Sequence, residues 1–373
     1  MKKKVIEELE IVRAIAFIFI LIQHTIGGYS ISPDAPLNNA VILRFIYSIS
    51  RAGVPIFIFI SGLSLCYTYS EGINISRFYK KRLMTIMLPY IFCTLIYIYV
   101  FGKKVDNILI SLITGNTIYH LWYIGTCIQL YLLFPIILYL LNKLGERSTK
   151  FNISFIAIFI LINIVLITNK AFIDNWGSQL IFNKPNFHLK EFISISPLFY
   201  SLYFLLGYYF SRYLKAFKKY ISAFKIYIVL IFIIFLIINY ITIMQDKLNI
   251  NLNAYIINVS RICFNLASVL FLFLLSLYLV KNKKKLTSIL KIISHYSFGA
   301  YLLHVAVIEV LAGVLYTFYK LKNDYIFPSV TLFILALIFC PIFCHFLSKL
   351  PFSKYVFGVS TYRVIQDKFV KSK

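Results

Sequence analysis

Stretches of about twenty apolar residues recur along the whole chain, and they constrain its fold more than any other feature. A helix of about twenty residues crosses the roughly 30 Å hydrocarbon core of a bilayer. A helix is also the form that pairs backbone polar groups internally where water is absent. Charged residues make up only 14% of the chain, whereas soluble proteins carry about 25%. The sequence therefore predicts an all-α fold, a polytopic bundle of transmembrane helices.

Ten apolar segments are long enough, or nearly so, to cross the membrane. We predict spans at 11–30, 44–69, 84–101, 119–141, 153–168, 195–211, 226–244, 256–280, 297–318 and 326–348. The sequence contains no internal repeat, no Pro-rich or Gly/Ser-rich linker and no small-residue cleavage site after the first segment. We therefore expect a single membrane domain over residues 1–373, whose longest outer loop is 169–194.

The formal net charge of +25 is explained by where the basic residues lie, without a nucleic acid as partner. If the amino terminus is cytoplasmic, basic residues of the inner loops and tail outnumber those of the outer loops roughly three to one. Arg44 is counted here in an outer loop. This asymmetry is the positive-inside pattern of multi-pass proteins. We expect a cell-membrane protein with both termini in the cytoplasm and the lipid bilayer as its surroundings.

Cysteine usage gives little support for a metal site. Six cysteines lie in apolar segments without a Cys-x-x-Cys pair. Cys340, Cys344 and His345 are close in sequence and could suggest a metal, but free cysteine is among the most buried residue types. We expect no metal and no disulfide framework.

Ionisable residues inside apolar segments are the candidates for chemistry, because each costs about 2.5–3.5 kcal/mol to place at the bilayer centre on insertion scales. Such residues persist mainly where they line a cavity or a pathway. Glu309 is a lone carboxylate that needs a partner, which Arg51, Arg261 or His24 could supply. The set comprises Arg13, His24, Arg51, Arg261, His304 and Glu309, with His120 near a boundary.

Arg13 and His24 are the most informative pair. They are 11 residues apart, which is three helical turns plus about 20°, so both point from one face about 16 Å apart along the axis. A guanidinium at the inner edge suits the phosphates of a cytosolic donor, and an imidazole deeper in the membrane suits proton abstraction from a hydroxyl. We expect both to open onto one passage. The spacing alone leaves open a snorkelling Arg13 and a His24 that only bonds a neighbouring helix.

Weaker motifs flank this pair. Pro55 and Ser61-Gly62 follow Arg51 in the second span, and such residues either loosen a helix beside a cavity or allow tight packing. The basic cluster from Arg77 to Arg82 could simply determine topology. The fourth span begins with His120-Leu-Trp122-Tyr123; an interfacial aromatic belt accounts for the two aromatic residues but not for the histidine.

Together these segments resemble acyltransferase family 3, a family of integral membrane acyltransferases, through nearly the whole chain. The resemblance is carried by five motifs in order. They are Arg13-x10-His24, Arg51-x-x-Val54-Pro55 leading to Ser61-Gly62, Phe78-Tyr79-Lys80-Lys81-Arg82 ending at Pro89-Tyr90, His120-Leu-Trp122-Tyr123, and Ser297-Phe-Gly-Ala-Tyr301-Leu-Leu-His304.

The resemblance implies transfer of an acyl group, acetyl being the first expectation, from cytosolic acyl-CoA to a hydroxyl of an extracytoplasmic or lipid-linked glycan. His24 matches the essential histidine, and Glu309 matches a functional position less closely, as does Trp122. Arg13 matches the basic partner that helps to hold the donor. Arg82 matches the first arginine of an Arg-x-x-Arg motif, whose second position here is Thr85, so that Lys80 or Lys81 could supply the missing charge. The remaining residues expected in the substrate pocket are Arg51, Ser61, His120, Tyr123 and His304.

We expect no tightly bound cofactor, with acyl-CoA as co-substrate, and a polysaccharide synthase is a candidate partner. Two other functions remain open. A transporter or exporter of a glycan intermediate would also need polar residues in its spans. A scaffold subunit of a synthase would not need His24 and Glu309. The acyl group, the acceptor sugar and the oligomeric state are not encoded in any motif we recognise.

Overall fold

Helices form the whole architecture of the computed structural model, which describes residues 5–105, 107–185, 187–318 and 324–362. That part of the chain contains no strand, and ten helices or helix pairs are long and apolar enough to cross a membrane. The predicted polytopic bundle is therefore confirmed. The candidate spans are Glu7–Ser30, Leu37–Thr68, Ile75–Tyr99, Trp122–Gly145, Thr149–Thr168, Leu189–Arg212, Lys225–Met244, Ala254–Asn282, Lys284–Thr317 and Ile326–Leu347.

Several helices extend beyond the predicted spans, because polar residues are incorporated into the helices. The second span begins at Leu37, and the helix at Lys284 begins well before the predicted 297. In chain order the helices are α1 (Glu7–Ser30), α2 (Leu37–Ser50), α3 (Gly53–Thr68), α4 (Ile75–Arg82), α5 (Leu88–Tyr99), α6 (Ile108–Thr114), α7 (Trp122–Gly145), α8 (Thr149–Thr168), α9 (Lys170–Phe182), α10 (Phe187–Ser194), α11 (Pro197–Arg212), α12 (Leu214–Ala223), α13 (Lys225–Met244), α14 (Ala254–Asn282), α15 (Lys284–Phe318), α16 (Ile326–Leu347) and α17 (Ser353–Val356).

Helix α1 lies at the centre of the bundle, packed against α2, α3, α14, α15 and α16. Its side chains are apolar on nearly every face, and Ile11, Val12 and Phe17 are fully buried. A helix that is apolar all round is expected where neighbours surround it. The central position of α1 explains why polar groups on this helix face other helices rather than lipid.

Helices α8 and α13 lie at the periphery. Only 11% and 17% of their most apolar windows are buried, and their exposed residues are mainly isoleucine and leucine. Apolar surface of this extent on a water-exposed protein would promote aggregation, whereas in a bilayer it contacts lipid. The exposure pattern therefore agrees with a multi-pass membrane protein.

Helices α3 and α11 make the closest helix contact in the bundle. A Cβ added at Gly62 would lie 2.4 Å from the carbonyl oxygen of Phe204, and one added at Gly207 would lie 2.4 Å from that of Phe59. Only glycine permits two backbones to approach this closely. This contact fixes the position of α3, which contributes much of the wall of the candidate site.

Two ion pairs define one face of the bundle, which we call the amino-terminal face. Lys218 contacts Glu8 at 2.6 Å, and Lys291 contacts Glu7 at 2.8 Å. Residues of α12 and of the start of α15 thus meet the beginning of α1. The face at the other end of α1, near Ser30, is called the opposite face.

The segments placed in outer loops are more ordered than the sequence predicted. Arg44 does not lie in a loop but is buried within α2. Its guanidinium donates a hydrogen bond of 2.9 Å to the carbonyl of Ser30 and pairs with the carboxylate of Asp246. The predicted long loop 169–194 is mostly helix, since it contains α9 and α10. Polar residues alternate with apolar ones there, so composition alone did not reveal the helices.

Candidate active site

A cavity of about 250 Å³ lies toward the amino-terminal face, between α1, α3, α4, α7 and α15. We call it the basic cavity, because Arg13, Lys81 and Arg82 line it. No carboxylate is among its lining residues, and within the described chain none of the three cations pairs with a carboxylate. The other lining residues are Phe57, Ile60, Ser61, Ser64, Leu65, Thr68, Ile86, Tyr123, Ile124, Cys127, Tyr131, Ser297, Phe298 and Tyr301.

Arg82 is held in place by aromatic rings. Its guanidinium carbon lies 5.3 Å from the ring centre of Phe78 and 5.1 Å from that of Tyr131. Its buried Nε has no hydrogen-bond partner in the described structure. A cation oriented by stacking, with a donor still unused, is suited to binding an oxyanion that enters the cavity.

A short π-helical turn, Leu83–Met87, directly follows Arg82. Turns of this kind are rare and frequently lie at functional sites. Thr85, which replaces the second arginine of the family motif, bonds the carbonyl of Lys81 at 2.8 Å within this turn and does not line the basic cavity. Of the two neighbouring lysines, Lys81 lines the cavity and Lys80 does not.

Three imidazoles form a cluster closer to the opposite face. The ring centres of His24 and His304 are 5.1 Å apart, those of His120 and His304 are 4.6 Å apart, and those of His24 and His120 are 6.3 Å apart. We call these residues the histidine cluster. His120 and His304 are only 1% and 0% exposed, whereas His24 is partly exposed. His24 is therefore the most exposed member of the cluster.

Backbone contacts set the protonation pattern of His304. Its Nδ1 lies 2.7 Å from the carbonyl oxygen of Tyr301, and because a carbonyl only accepts, Nδ1 carries the hydrogen. Its buried Nε2 is left as an acceptor without a partner in the described structure. The hydroxyl of Tyr97 bridges two backbone groups of α15. It donates to the carbonyl of Leu302 at 3.0 Å and accepts from the amide of Ala306 at 3.2 Å.

The clustered histidines do not form a recognisable metal site. Among the described residues, no group of three or more His, Cys, Asp or Glu side chains is arranged to hold a metal ion. The rings of His24 and His304 are instead tilted by 37°, and those of His120 and His304 meet edge to face at 71°. The cluster thus has the geometry of packed rings, with unused nitrogens available for proton transfer.

The basic cavity and the histidine cluster are separated by one layer of aromatic rings. Tyr301 lines the cavity, and its ring centre is 5.6 Å from those of both His120 and His304. Phe57 and Tyr123 pack against Tyr301 at 6.2 Å and 5.3 Å. Arg13 lines the cavity, whereas His24 is not among the residues that line it. That the two residues open onto one passage stays a prediction.

A second cavity, of about 520 Å³, lies next to Tyr119, whose ring contacts the histidine cluster. We call it the aromatic cavity, because Tyr119, Trp122 and Tyr200 line it. The ring of Tyr119 is 5.0 Å from that of His24, and the rings of Trp122 and Tyr200 are 5.4 Å apart. The remaining lining residues are Thr114, Gly115, Asn116, Glu191, Ser194 and Ile195.

The family of the chain follows from a comparison with known protein families. A family model described as an acyltransferase domain matches residues 6–345, nearly the whole chain. The chain belongs to acyltransferase family 3. The resemblance inferred from the motifs is therefore confirmed, and the protein is a membrane acyltransferase. A search of curated proteins and a search of solved structures each found no match.

The acyltransferase brings most of its predicted site residues to three neighbouring places. Arg13, Lys81, Arg82, Ser61 and Tyr123 line the basic cavity. The three histidines form the cluster between the cavities. Trp122 lines the aromatic cavity, where its ring packs against that of Tyr200. An interfacial aromatic belt therefore does not fully account for this residue.

Three charged residues do not occupy the positions that we expected. Glu309 pairs with Lys103 at 2.7 Å, and not with Arg51, Arg261 or His24. Arg51 donates to the side chain of Asn239 at 3.2 Å, and Arg261 bonds Asn258. Neither arginine lines the basic or the aromatic cavity. The partners of Glu309 and Arg51 are far away in sequence, so spacing cannot predict them, whereas Asn258 lies only three residues before Arg261.

Glu309 nevertheless remains near the histidine cluster. Its charge interacts with Tyr97 and with Tyr119, whose ring contacts His24. Its side chain is 38% exposed and pairs with Lys103, so it is not a lone carboxylate. In the acyltransferase, Glu309 is thus one ring away from His24 and paired with a cation.

Tyr301, Tyr200 and Glu191 belong to the site but were not among the predicted site residues. Tyr301 lies within a motif that we identified, three residues before His304, and that spacing places both near one face of the helix. Tyr200 and Glu191 come from a short predicted span and a predicted loop. No pattern in the sequence marks them, because the fold alone brings α10 and α11 to Trp122.

Proposed function

We propose that this acyltransferase moves an acyl group from cytosolic acyl-CoA to a hydroxyl of a glycan on the other side of the membrane. The single observation that carries the proposal is the order of the three sites across the bundle. The first site is a cavity lined by three cations, none of which forms an ion pair in the part of the chain that the structure describes. Tyr301 connects this cavity to the cluster of imidazoles, and Tyr119 connects the cluster to the aromatic cavity.

The basic cavity supports an anionic donor. Coenzyme A is a phosphate-rich molecule, and phosphate is bound by arginine and lysine through charge-assisted hydrogen bonds. Arg13, Lys81 and Arg82 converge on one space that contains no opposing carboxylate. The excess of basic residues on this side of the predicted topology supports its assignment to the cytoplasm, which would place both termini there.

His24 supplies the base in the proposed reaction. The acceptor oxygen attacks the thioester carbonyl carbon, the carbon–sulfur bond breaks, and the hydroxyl proton passes to His24 and then to the departing thiolate. An imidazole is suited to both proton transfers because its ordinary pKa lies close to neutrality. His304 packs against His24 at 5.1 Å between ring centres and limits its orientations.

The aromatic layer requires a movement in each reaction cycle. For an acyl group in the basic cavity to reach His24, the ring of Tyr301 must shift, which breaks its hydrogen bond to the carbonyl of His120. Loss of one such bond costs about 0.5–1.5 kcal/mol net, an amount that binding of the donor can supply. The layer would also keep the cytosolic and extracytoplasmic waters apart between reactions.

Reconstituted vesicles with labelled acetyl-CoA test the proposal. His24→Gln should lower kcat by about 10²–10⁴-fold, the usual worth of a general base, while the KM for acetyl-CoA stays unchanged. Arg82→Gln should raise that KM about 10–100-fold, because a hydrogen bond to a charged group contributes about 1.5–3 kcal/mol, and should leave kcat nearly unchanged.

Matched controls come from the same chain. His295→Gln changes an exposed histidine that bonds the carbonyl of Ser360, and Arg77→Gln changes an exposed arginine that does not line the basic cavity. Both should behave as wild type. Transfer by His24→Gln at the wild-type rate would refute the assigned base. Movement of glycan without consumption of the thioester would instead indicate a transporter.

A further inference from the structure

We propose that Lys354 completes the donor site by binding the phosphate group of acyl-CoA that lies furthest from the thioester, the 3′-phosphate of its ribose. Lys354 lies on α17, which together with the residues after it forms the α17 segment, residues 353–362. The match to the acyltransferase family ends at residue 345, so this segment lies outside it. The proposal rests on the proposed function for the identity of the donor, but its evidence comes from a different part of the chain.

The α17 segment is packed against two elements that form the wall of the basic cavity. Helix α17 contacts α5 and the π-helical turn Leu83–Met87, which directly follows Arg82. On the side of α15, a Cβ added at Gly299 would lie 2.8 Å from the carbonyl oxygen of Phe357. Glycine at this position lets the two backbones approach each other closely. The segment therefore has a defined place beside the cavity.

Phe298 links the α17 segment to the cavity itself. Its side chain lines the basic cavity, and a Cβ added at Gly358 would lie 2.5 Å from its ring. Gly358 has a φ of +67°, which glycine adopts without a steric penalty. The hydroxyl of Ser353 donates to the carbonyl of Val359 at 3.3 Å and closes the turn. One ring thus contacts both the cavity and the segment that carries Lys354.

Lys354 adds positive charge where the basic cavity opens. Lys81 lines the cavity and is exposed, whereas Arg13 and Arg82, which also line it, are partly buried. Lys354 is exposed as well, and it is close enough to Lys81 for the two charges to repel each other. A concentration of charge of one sign attracts counter-ions. Two neighbouring lysines at the exposed end of the cavity therefore favour an anion that binds to both.

The π-helical turn supplies no further cation at this place. Thr85 is uncharged, and its hydroxyl donates to the carbonyl of Lys81 at 2.8 Å. Lys354 reaches the same turn from α17, because the two elements pack against each other. The charge at the exposed end of the cavity thus comes from two parts of the chain that are far apart in sequence.

The arrangement of charges in acyl-CoA matches this order of cations. The thioester and the ribose 3′-phosphate are at opposite ends of the molecule, with the pyrophosphate between them. The proposed reaction needs the thioester near Tyr301, which contacts the histidine cluster, so the nucleotide end faces the exposed lysines. A phosphate monoester carries about −1.5 to −2 charges at pH 7, and lysine binds phosphate as a point charge. We therefore assign the 3′-phosphate to Lys354.

Direct binding of two nucleotides tests the proposal without an acceptor. The full chain is reconstituted in phosphatidylcholine nanodiscs, whose lipid has no net charge, and is titrated calorimetrically with acetyl-CoA and with 3′-dephospho-acetyl-CoA. Wild type should bind acetyl-CoA about fivefold more tightly, equivalent to about 1 kcal/mol, the upper end for an exposed ion pair. Because the contact is exposed, this preference should shrink as the salt concentration rises.

Variants of exposed lysines assign the preference to one side chain. Lys354→Gln should lose it, and Lys354→Arg, which retains the charge, should keep it. Lys349→Gln is the matched control and should equal wild type, because Lys349 is also exposed but is not among the charges that act on Lys81. Equal binding of the two nucleotides by wild type, as expected if Lys354 only contacts lipid headgroups, overturns the proposal. A preference that survives in Lys354→Gln, or that is lost in Lys349→Gln, also overturns it.

The two proposals fail separately. If acetyl-CoA binds with a preference that depends on Lys354, but vesicles move glycan without consuming the thioester, the proposed function fails and the phosphate contact stands. If acetyl-CoA is consumed and His24→Gln abolishes transfer, while wild type binds both nucleotides equally, the proposed function stands and the phosphate contact is refuted.

Discussion

Replacing Gly207 with alanine should disrupt the contact between α3 and α11. The added Cβ would lie 2.4 Å from the carbonyl oxygen of Phe59 and 2.5 Å from the amide nitrogen of Leu63. Ordinary van der Waals contact begins near 3.4 Å, so the two backbones must separate by about 1 Å. Both neighbouring atoms belong to a helix backbone and cannot rotate away.

The magnitude follows from the balance of two effects. Overpacking of a well-packed interior costs about 1–3 kcal/mol, while alanine is favoured over glycine within a helix by about 0.8–1 kcal/mol. Gly313 on α15 has no atom within 4 Å of the equivalent Cβ, so Gly313→Ala should show the helix gain alone. The two variants should therefore differ in unfolding free energy by about 1–3 kcal/mol.

Thermal unfolding in nanodiscs measures this difference. Soluble domains of 150–250 residues shift in Tm by about 2–4 °C per kcal/mol, so we expect Gly207→Ala to unfold a few degrees below Gly313→Ala. Acyl transfer should fall in Gly207→Ala as well, because α3 carries Phe57 and Ser61 on the wall of the basic cavity. Equal unfolding temperatures and equal transfer rates in the two variants would show that α3 and α11 do not pack as described.

Further predictions concern buried and paired polar groups. Lys103→Met should lower stability by about 1 kcal/mol, as for a partly exposed ion pair, and adding Glu309→Gln should restore it; no change in the single variant would contradict the pairing. Tyr301→Phe should lower the unfolding temperature, since the loss leaves a buried carbonyl of the histidine cluster unbonded; an unchanged temperature would refute that bond. The hydrogen bond from Arg44 lowers the pKa of Asp246, so this pair stabilises the fold above the unfolded carboxyl pKa and loses its effect as the pH falls through the folded pKa. Asp246→Asn should therefore be less stable than wild type at neutral pH, and the two should converge below about pH 4; a constant gap would exclude this linkage.

Local spacing in the sequence predicted which candidate residues share a helix and a helix face. Arg13 and His24 share a helix, and 11 intervening steps place both on one face of it. His304 and Tyr301 lie three residues apart in one motif, so the two side chains could be expected to lie near each other. The sequence could not show that Tyr301 lies between the basic cavity and the histidine cluster, because that position depends on rings contributed by α3 and α7.

The amino-acid sequence by itself was enough to predict that the chain is helical, that it is suited to a lipid bilayer, and that it has ten candidate membrane spans. Long apolar runs can satisfy their backbone only as helices in lipid, and this requirement acts on each segment separately. Helix ends were less predictable, since Arg44 is buried in α2 with partners that lie elsewhere in the chain, among them Asp246 and the carbonyl of Ser30.

The tertiary structure alone decided which distant side chains meet. Lys103 pairs with Glu309, which lies 206 residues later in the sequence. Glu191 lines the same cavity as Trp122, although its segment was predicted to be a loop. Contacts of this kind arise from how helices pack, which is a property of all the segments at once. Hydropathy and spacing report on one segment at a time, and so they identified the groups available for catalysis but not the walls that separate them.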